Sequence, residues 1–351
     1  MPRLVLCTAL CALLSAHAPA ANAPADPDMR RPLDWLIAAQ NDDGSWGDGA
    51  KDPRPDVATT ALAGIALLRL GHTGSLGQYQ EHTRRAVIYI AAAVERAPED
   101  EIAINPPGTL PQRKLGRNID TFVAAQFLAE VLPTLRGPLH AHAERALASV
   151  VKRIERAQAK DGSYSRDGWA PLLASAFASN GLYAAQRAGA KVDKDVLAKG
   201  QAGLVDKYDG KTKTFGATDA AGVQLYSVAA SMMAAEQVAR SDSPASLELK
   251  KRAEEARKAA ASQLANENVM RGFGSYGGEE HVSYMLTAEA KAALGGDEWA
   301  GFRKGIRARL AAIQRENGTW RGDHCITSTT FCTAASLITL AIEPHTGRRA
   351  S

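Results

Sequence analysis

The sequence lacks several features that would point directly to a class of function. Lys and Arg number 42 against 38 Asp and Glu, and no basic stripe interleaved with aromatic residues is present, so nucleic-acid binding is disfavoured. Alternation of β-branched and polar residues is nearly absent, which argues against a sheet-based fold. Two of the four cysteines, Cys7 and Cys11, lie in the first 23 residues, so only Cys325 and Cys332 remain for chemistry in the rest of the chain.

The N-terminus has the pattern of a secretory signal peptide. A short basic region ends at Arg3, an apolar run extends from Leu4 to about Leu14, and Ala21-Asn22-Ala23 forms an Ala-x-Ala cleavage site. This run is too short to span a membrane, and no later stretch is both long and apolar enough to do so. We therefore predict an exported protein, periplasmic or secreted, without a transmembrane segment. Residues 1–23 are the predicted signal peptide, 24–343 a single domain and 344–351 a flexible tail.

Helical periodicity dominates from Arg31 onward, and the predicted helices are of two kinds. Some have an apolar stripe and a charged face, as solvent-facing helices do: residues 83–96, 144–156 and 302–313. Others are apolar or small on nearly every side, as enclosed helices are: residues 57–68, 121–132, 172–185, 223–235, 282–294 and 326–342. An open solenoid would need polar capping repeats at both ends, and the last enclosed helix is among the most apolar in the chain. We therefore predict an all-α fold, an α/α toroid in which about six helix hairpins form a closed barrel with an inner and an outer ring.

A repeated motif marks three of the turns between an amphipathic and an enclosed helix. Its three copies are Gln40/Gly44/Trp46, Gln158/Gly162/Tyr164 and Gln314/Gly318/Trp320, and Gly274/Tyr276 is a partial match. Gly permits the positive φ that ends a helix, the Gln amide satisfies exposed backbone groups, and the aromatic side chain closes over the junction. We interpret these residues as structural, not catalytic.

The motif resembles that of the prenyltransferase and squalene-cyclase repeat superfamily, whose hallmark is Gln-x-x-x-Gly-x-Trp in an α/α toroid. The resemblance covers the chain after the signal peptide and implies an apolar, isoprenoid-like ligand at the mouth of the barrel. The Asp-x-Asp-Asp motif of squalene and other class II terpene cyclases is absent. Aromatic residues make up only 6% of the sequence, which disfavours an aromatic-lined cavity for carbocations. We do not expect a full squalene cyclase.

An acidic residue opens each enclosed helix, and the six are expected to converge at one end of the barrel: Asp56, Asp120, Asp167, Asp219, Glu280 and Asp323. A ring of acids can protonate a substrate or bind a cation, whereas Asp and Glu are also preferred at helix N-termini. We interpret Asp56, Asp120 and Asp219 as N-caps. The long second turn adds positive charge at the same end, from Arg113, Lys114 and Arg117. Trp169 and Tyr284 are expected near the mouth or in the core.

The last two turns carry side chains that transfer protons or bind zinc. Glu279, Glu280 and His281 follow two glycines, and Asp323, His324 and Cys325 open the last enclosed helix. The two groups are expected to meet across neighbouring repeats. We predict Glu280, His281, Asp323 and His324 as catalytic candidates.

Three alternatives remain for the cysteines. The first rests on the resemblance: protein prenyltransferase β subunits hold zinc with an Asp-x-Cys pair and a His from another repeat. Here that implies Asp323, Cys325 and His281; because the family's downstream His context is missing, His281 or His324 would have to take the place of that His. The second is a disulfide between Cys325 and Cys332. It requires Cys325 to precede the helix, because seven residues within one helix separate the Cα atoms by about 10 Å. The third is a pair of free structural cysteines.

Three classes of function therefore stay open. The first is an enzyme or carrier for an isoprenoid-like or other apolar ligand, which we prefer. The second is a carbohydrate-active protein of the polysaccharide lyase or glycosidase type, since α/α barrels also host such sites. The third is a non-catalytic interaction domain. A deep cavity favours the first, a wide cleft with exposed aromatics the second, and a filled barrel with an apolar outer patch the third.

Overall fold

The structure, a computed structural model, describes residues 27–49, 54–241 and 246–344. The predicted signal peptide and the last seven residues of the predicted tail lie outside these ranges. The α-helices of the described part are α1 (Arg30–Ala38), α2 (Val57–Arg69), α3 (Gln80–Arg96), α4 (Leu110–Leu115), α5 (Ile119–Val131), α6 (Gly137–Ala157), α7 (Pro171–Arg187), α8 (Lys194–Val205), α9 (Gln224–Arg240), α10 (Leu247–Gln263), α11 (Glu267–Met270), α12 (Gly278–Leu294), α13 (Gly296–Ala312) and α14 (Thr329–Ala341). A short hairpin of β1 (Tyr208–Asp209) and β2 (Thr214–Phe215) and two 3-10 turns, Leu132–Thr134 and Thr218–Ala220, complete the elements.

Six helices form a closed inner ring. Helices α2, α5, α7, α9, α12 and α14 each pack against the next one in this order, and α14 packs against α2. Nearly every residue of α2, α5 and α14 is buried, because these helices have neighbours on all sides. The outer ring consists of α1, α3, α6, α8, α10 and α13, each of which precedes an inner helix in the chain. The prediction of an all-α toroid of six hairpins is thereby confirmed.

The inner helices run in the same direction, so the barrel has two different ends. The turn before α12 pairs with the turn before α14 through a parallel bridge between Gly277 and His324. Ser328 and Thr330, where α14 starts, contact the backbone of Asp48 and Gly49 before α2. We refer to the end at which the inner helices begin as the mouth and to the end at which they finish as the base.

The repeated motif has the structural role that its residue types predict. In the first copy, Gln40 Nε2 donates to Gly44 O at 3.0 Å, and the fully buried Trp46 donates from Nε1 to Leu36 O at 2.7 Å. Gly44 has a φ of 89°, and a Cβ on it would lie 2.5 Å from Arg85 O of the next outer helix. Glycine is therefore required for backbone conformation and for close packing of neighbouring outer helices. The Gly274/Tyr276 partial match lacks both contacts, because it contains no Gln and a tyrosine ring has no N–H to donate.

Each motif also joins its own outer helix to the next outer element. Gln40 Nε2 donates to His82 O of α3 at 2.9 Å, and Gln158 Nε2 donates to Val196 O of α8 at 2.7 Å. In the last copy, Gln314 Nε2 donates to Asp28 O at 2.6 Å and Gln314 Oε1 accepts from Asp28 N at 3.0 Å. The third copy thus joins the end of α13 to the segment before α1 and closes the outer ring.

Several helix ends differ from the predicted ones: the outer helix α6 begins at Gly137 instead of Glu144, and the starts of the inner helices differ most in the last two repeats. The fifth inner helix begins at Gly278 instead of Val282, because the Glu280 carboxylate accepts the backbone N–H of Gly277 at 2.8 Å and so caps the earlier start. The sixth begins at Thr329 instead of Ile326, where the Ser328 hydroxyl accepts the N–H of Phe331 at 3.1 Å. No helix among the described residues is long and apolar enough to cross a membrane.

Candidate functional site

The mouth brings together the two turns that carry the predicted site residues. Gly278 N donates to Ile326 O at 2.9 Å, and Asp323 N donates to Tyr276 O at 2.6 Å. Tyr276 N in turn donates to the Asp323 carboxylate at 3.4 Å. Asp323 therefore fixes one turn against the other, so the two turns lie side by side at the mouth.

Glu280 is buried and its carboxylate is fully used in hydrogen bonds. Its Oε1 accepts from the Tyr226 hydroxyl at 2.5 Å and from Phe273 N at 3.0 Å, while Oε2 accepts from Gly277 N. His324 Nε2 lies 3.6 Å from Oε2. These partners give Glu280 a structural role, since it holds α9, the preceding turn and the first turn of α12 together.

His281 does not face the other candidates. Its ring is buried, Nδ1 lies 2.9 Å from the Ser336 hydroxyl of α14, and burial lowers the pKa of the imidazole to about 3. Because α12 begins at Gly278, Glu279 and His281 are two residues apart on a helix and point in different directions. His281 is thus a neutral core residue rather than a partner of Asp323 or His324.

The zinc site implied by the resemblance is not formed. No group of three or more His, Cys, Asp or Glu side chains suited to hold a metal ion occurs in ranges 27–49, 54–241 and 246–344. Of the three implied ligands, His281 bonds to Ser336 and Asp323 bonds to the backbone of Tyr276. Because α12 directs His281 toward Ser336, this side chain is separated from the other two implied ligands, Asp323 and Cys325.

Both cysteines of the described chain are free thiols, so the disulfide alternative is also wrong for this structure. Cys325 precedes α14, as a disulfide would require, but it has a φ of 52°. Cys332 is buried within α14, where its Sγ lies 3.7 Å from Ile326 O. Burial raises the pKa of both thiols, which keeps them protonated and unreactive.

Only part of the predicted acidic ring consists of helix caps. Asp56 accepts the N–H of Ala58 at 2.9 Å and caps α2, as predicted, and burial raises its pKa to about 6. The cap prediction is wrong for Asp120, whose Oδ2 accepts from Ile104 N at 2.9 Å and Asn105 N at 2.6 Å. It is also wrong for Asp219, which pairs with Lys207 Nζ at 2.6 Å.

Asp167 and the basic residues fix the long second turn. The Asp167 carboxylate accepts from Arg117 N at 2.8 Å and from the Ser165 hydroxyl at 2.7 Å. Arg117 donates from its guanidinium to Asn105 O at 2.9 Å, and Arg113 donates to Gly108 O. The carbonyl of Lys114 accepts from Trp169 N, which joins α4 to the third turn. These residues build the rim of the mouth.

Glu279, which is absent from the predicted catalytic set, has the most unusual environment at the mouth. It is 0% exposed, Oε2 accepts from Ile326 N at 3.3 Å, and Oε1 has no hydrogen-bond partner among the described residues. Burial is the main cause that raises its pKa to about 7, and the neighbouring Glu280 carboxylate adds to it, against the opposing effect of Lys114. The paired acids after two glycines are the sequence signal that could have identified it.

His324 faces Glu279 across Gly277. A Cβ on Gly277 would lie 3.0 Å from both Glu279 Oε2 and His324 Nδ1. Nδ1 is buried without a partner in the described chain, while Nε2 lies 3.3 Å from Ser275 O. Gly277 therefore lets a carboxyl and an imidazole, each with an unused polar atom, approach the same point of the backbone more closely than any side chain there would allow.

Aromatic rings lie on one side of His324. The Phe273 ring centroid lies 5.0 Å from that of His324 and 5.8 Å from that of Trp169, which in turn lies 6.3 Å from Tyr226. Phe273 is 57% exposed and Trp169 is half-buried. Tyr284 instead packs in the core, where its hydroxyl donates to Met270 O at 2.7 Å. Trp169, Tyr226 and Phe273 thus form an aromatic group beside the acids.

The fold and the mouth define the class of the protein: an α/α toroid of six helix hairpins with an acid, an imidazole and aromatic rings at the start of its inner helices. No family model matches the sequence, and no curated protein matches it. Among solved structures it is similar to the type II terpene cyclase MstE from Scytonema in its apo form, at 14% identity and a TM-score of 0.39, over 89% of this chain and 96% of that one. The contacts between its helices define the toroid.

Proposed function

We propose that this protein binds an apolar, isoprenoid-like ligand at the mouth and transfers protons to and from one of its double bonds. Glu279 is the proton donor and His324 the acceptor. The observation that carries the proposal is the pair of unused polar atoms, Glu279 Oε1 and His324 Nδ1, on two buried or partly buried side chains that both lie beside Gly277. A general acid and a general base must both lie within reach of the reacting atoms, and this is the place at the mouth where one of each is available.

The proposed reaction is the migration of a double bond. The protonated Glu279 carboxyl gives its proton to one alkene carbon, which leaves a positive charge on the other. The faces of nearby rings such as Trp169 stabilise that charge. A carbon next to the cation then loses a proton to His324, so the product has the same composition as the substrate. Proton return from His324 to Glu279 completes the cycle.

The environment of Glu279 suits a donor. Its raised pKa keeps part of the population protonated near neutral pH, and burial excludes the water that would compete for the proton. Glu280, one residue further on, is held by three hydrogen bonds and supplies only negative charge and rigidity.

Deuterium transfer from solvent tests the proposal. The purified protein is incubated in D₂O with squalene or farnesol in detergent micelles, and the recovered isoprenoid is analysed by mass spectrometry. We expect deuterium at alkene-derived positions with the wild type and a loss of about 100-fold or more in its rate with Glu279→Gln, since general acids contribute roughly 10²–10⁴-fold. Glu248→Gln, an exposed acid on α10, is the matched control. Incorporation that persists in Glu279→Gln would disprove the role of Glu279, and none with the wild type would disprove the reaction.

Saccharide binding is the second candidate because Phe273 is exposed beside the half-buried Trp169 at the rim. Exposed aromatic faces are the feature expected of a sugar cleft. Calorimetric titration with uronate and neutral oligosaccharides tests this candidate, which predicts that Phe273→Ala weakens their binding. The interaction-domain alternative has less support, since the other large exposed apolar side chains, Leu76, Ile88 and Leu247, lie on separate elements.

Export stays a proposal that rests on residues 1–23. To test export, cells that express the full chain are fractionated, and the N-terminus of the protein is determined by mass spectrometry. Export predicts a chain that starts at Pro24, directly after the Ala-x-Ala site, outside the cytoplasm.

A further inference from the structure

The base of the barrel contains a cavity that is separate from the mouth. Its volume is about 470 Å³, and its walls come from inner helices α2, α5, α7, α9 and α12 and from the residues after α14. None of the residues that form the mouth lines it. This volume is in the range of small-molecule sites.

A buried polar network forms the floor of this cavity. The Glu289 carboxylate accepts from Gln126 Nε2 at 3.1 Å and from Asn180 Nδ2 at 3.2 Å, and Arg69 lies 3.4 Å away. Arg69 also makes a two-pronged pair with Glu130, at 2.5 and 2.8 Å. Four inner helices thus contribute to one network around a mostly buried carboxylate, whose pKa burial raises.

Two acceptor atoms in the cavity wall have no partner within the described chain. They are Gln126 Oε1 and Glu236 Oε2, on side chains that are 2% and 5% exposed. The Gln126 amide cannot be reversed, because its Nε2 donates to the carboxylates of Glu130 and Glu289, and reversal would place an oxygen against them. Leaving buried acceptors unused costs free energy, so the wall is built to receive hydrogen-bond donors.

The arginines of the cavity are already occupied or lie at its edge. Arg69 is paired as described, and Arg240 Nε donates to Glu236 Oε1 at 2.6 Å. Arg187 is exposed, and its guanidinium lies 5.9 Å from the centre of the Tyr183 ring. The last acid of the wall, Glu343, pairs with Arg303 at 2.7 Å. The two unused acceptors therefore belong to residues of the cavity wall, and the guanidinium groups of Arg69 and Arg240 each contact a glutamate of the same wall.

The backbone adds to this preference. Inner helices finish at the base, and a helix C-terminus carries a partial negative charge of about half an elementary charge. The wall contains four glutamates against three arginines, so acidic side chains are in slight excess. The remaining walls are apolar and include Ala129, Met233 and Ala290, so they match a hydrocarbon chain.

We propose that the base cavity binds a protonated aliphatic amine, whose ammonium group donates to Gln126 Oε1 and Glu236 Oε2 and whose hydrocarbon chain packs on the alanine-rich wall. This site is independent of the mouth and of any reaction there. An ammonium has three donors and no acceptor, which is the complement of the free atoms in the wall.

Calorimetric titration of the purified protein with a matched set of six-carbon probes tests the proposal. The probes are 1-aminohexane, 1,6-diaminohexane, hexan-1-ol and hexanoate. We expect an amine to bind at least 10-fold more tightly than the alcohol, hexanoate not to bind, and the amine affinity to fall as salt increases. Equal affinity for amine and alcohol, preference for hexanoate, or no binding of either amine at millimolar concentration would overturn the proposal.

Two variants locate the site. Glu236→Gln removes the charge and keeps an oxygen for Arg240, and should weaken amine binding about 10-fold. Ala293→Leu fills part of the cavity without altering a polar group, and should weaken binding of the amine to a similar extent. Glu248→Gln on the outer surface is the control for loss of a charge alone. Unchanged amine affinity in both cavity variants, with circular dichroism showing that they are folded, would contradict the assignment to this cavity.

Discussion

Glu279 and Glu280 show how much the surroundings of one residue decide its role. They are adjacent in the chain and both are buried at the start of α12. The carboxylate of Glu280 accepts three hydrogen bonds, whereas Glu279 accepts one and leaves Oε1 without a partner in the described chain. Identical side chains thus become a structural anchor and a candidate proton donor.

Asp120 is a second residue whose burial has a measurable consequence. Its side chain is 0% exposed, and burial raises its pKa from 3.8 to about 7 although Ile104 and Asn105 donate to it. Between pH 4 and 7 the folded state therefore keeps a proton that the unfolded state has lost. Stability contributed by this group is present at low pH and is lost as pH rises through this window.

We predict that Asp120→Asn reduces this loss. Asn keeps an oxygen for the two backbone donors and cannot ionise, so the decline in the free energy of unfolding from pH 5 to pH 8 should shrink by about 2 kcal/mol relative to wild type. Urea denaturation at both pH values measures it. Asp195→Asn, on the exposed side of α8, should leave the decline unchanged. If the free energy of unfolding declines equally in Asp120→Asn and in the wild type, Asp120 is ionised in the folded protein from pH 5 to pH 8.

At the scale of elements, the motif at the end of the outer helices links a helix pair through both backbone and side chains. Trp46 N donates to Thr60 Oγ1, Tyr164 N to Ser175 Oγ and Trp320 N to Thr333 Oγ1, at 2.9 to 3.1 Å. A hydroxyl on the following inner helix is thus part of every copy, although sequence reasoning did not include it. Each copy joins an outer helix to its inner helix and to its neighbour.

We expect Trp46→Ala to be among the most damaging single substitutions. It empties a fully buried site and leaves Leu36 O without its ring N–H donor, which should lower the free energy of unfolding by about 3–5 kcal/mol. Thermal or urea denaturation gives the value. Leu76→Ala, which shortens an apolar side chain that is 68% exposed, should change it by less than about 1 kcal/mol. Similar losses in the two variants would refute the role given to the motif.

At the scale of the whole molecule, closure of the toroid depends on contacts between the two ends of the described chain. Helix α14 packs against α2 in the inner ring, and Gln314 holds the backbone of Asp28 in the outer ring. A closed ring leaves no inner helix with an open side, which explains why the last inner helix can be as apolar as the others.

Gln314→Ala and Gln158→Ala should differ in where they loosen the protein. Gln314→Ala removes the bonds to both backbone groups of Asp28, so we predict faster amide hydrogen exchange in α1 and α13 and a loss of about 1–3 kcal/mol in stability. Gln158→Ala should affect α6 and α8 instead. Exchange measured by mass spectrometry on peptides resolves the two patterns. Unchanged protection of α1 in Gln314→Ala would mean that the outer ring is closed by other contacts.

Much of the architecture could be predicted because it depends on short-range patterns. The alternation of amphipathic and enclosed helices and the spacing of Gln40, Gly44 and Trp46 are local, and they give six hairpins and a structural motif. Placement of site residues was less accurate because it depends on helix phase. The early start of α12 at Gly278 turned His281 into the core and brought Glu279 into the mouth.

The base cavity lay beyond the reach of sequence patterns. Gln126 and Glu289 lie within segments that are predicted as enclosed helices, 163 residues apart, and no local spacing relates them. They meet because closure of the inner ring places the last turns of these helices together at the base of the barrel.

The sequence by itself thus determined the helices, their two kinds and the closed toroid, because hydrophobic periodicity and turn chemistry act over a few residues. Only the tertiary structure decided which acid is left without a partner, which histidine faces it and where a cavity remains. Those properties depend on burial and on hydrogen bonds between helices that are distant in the chain.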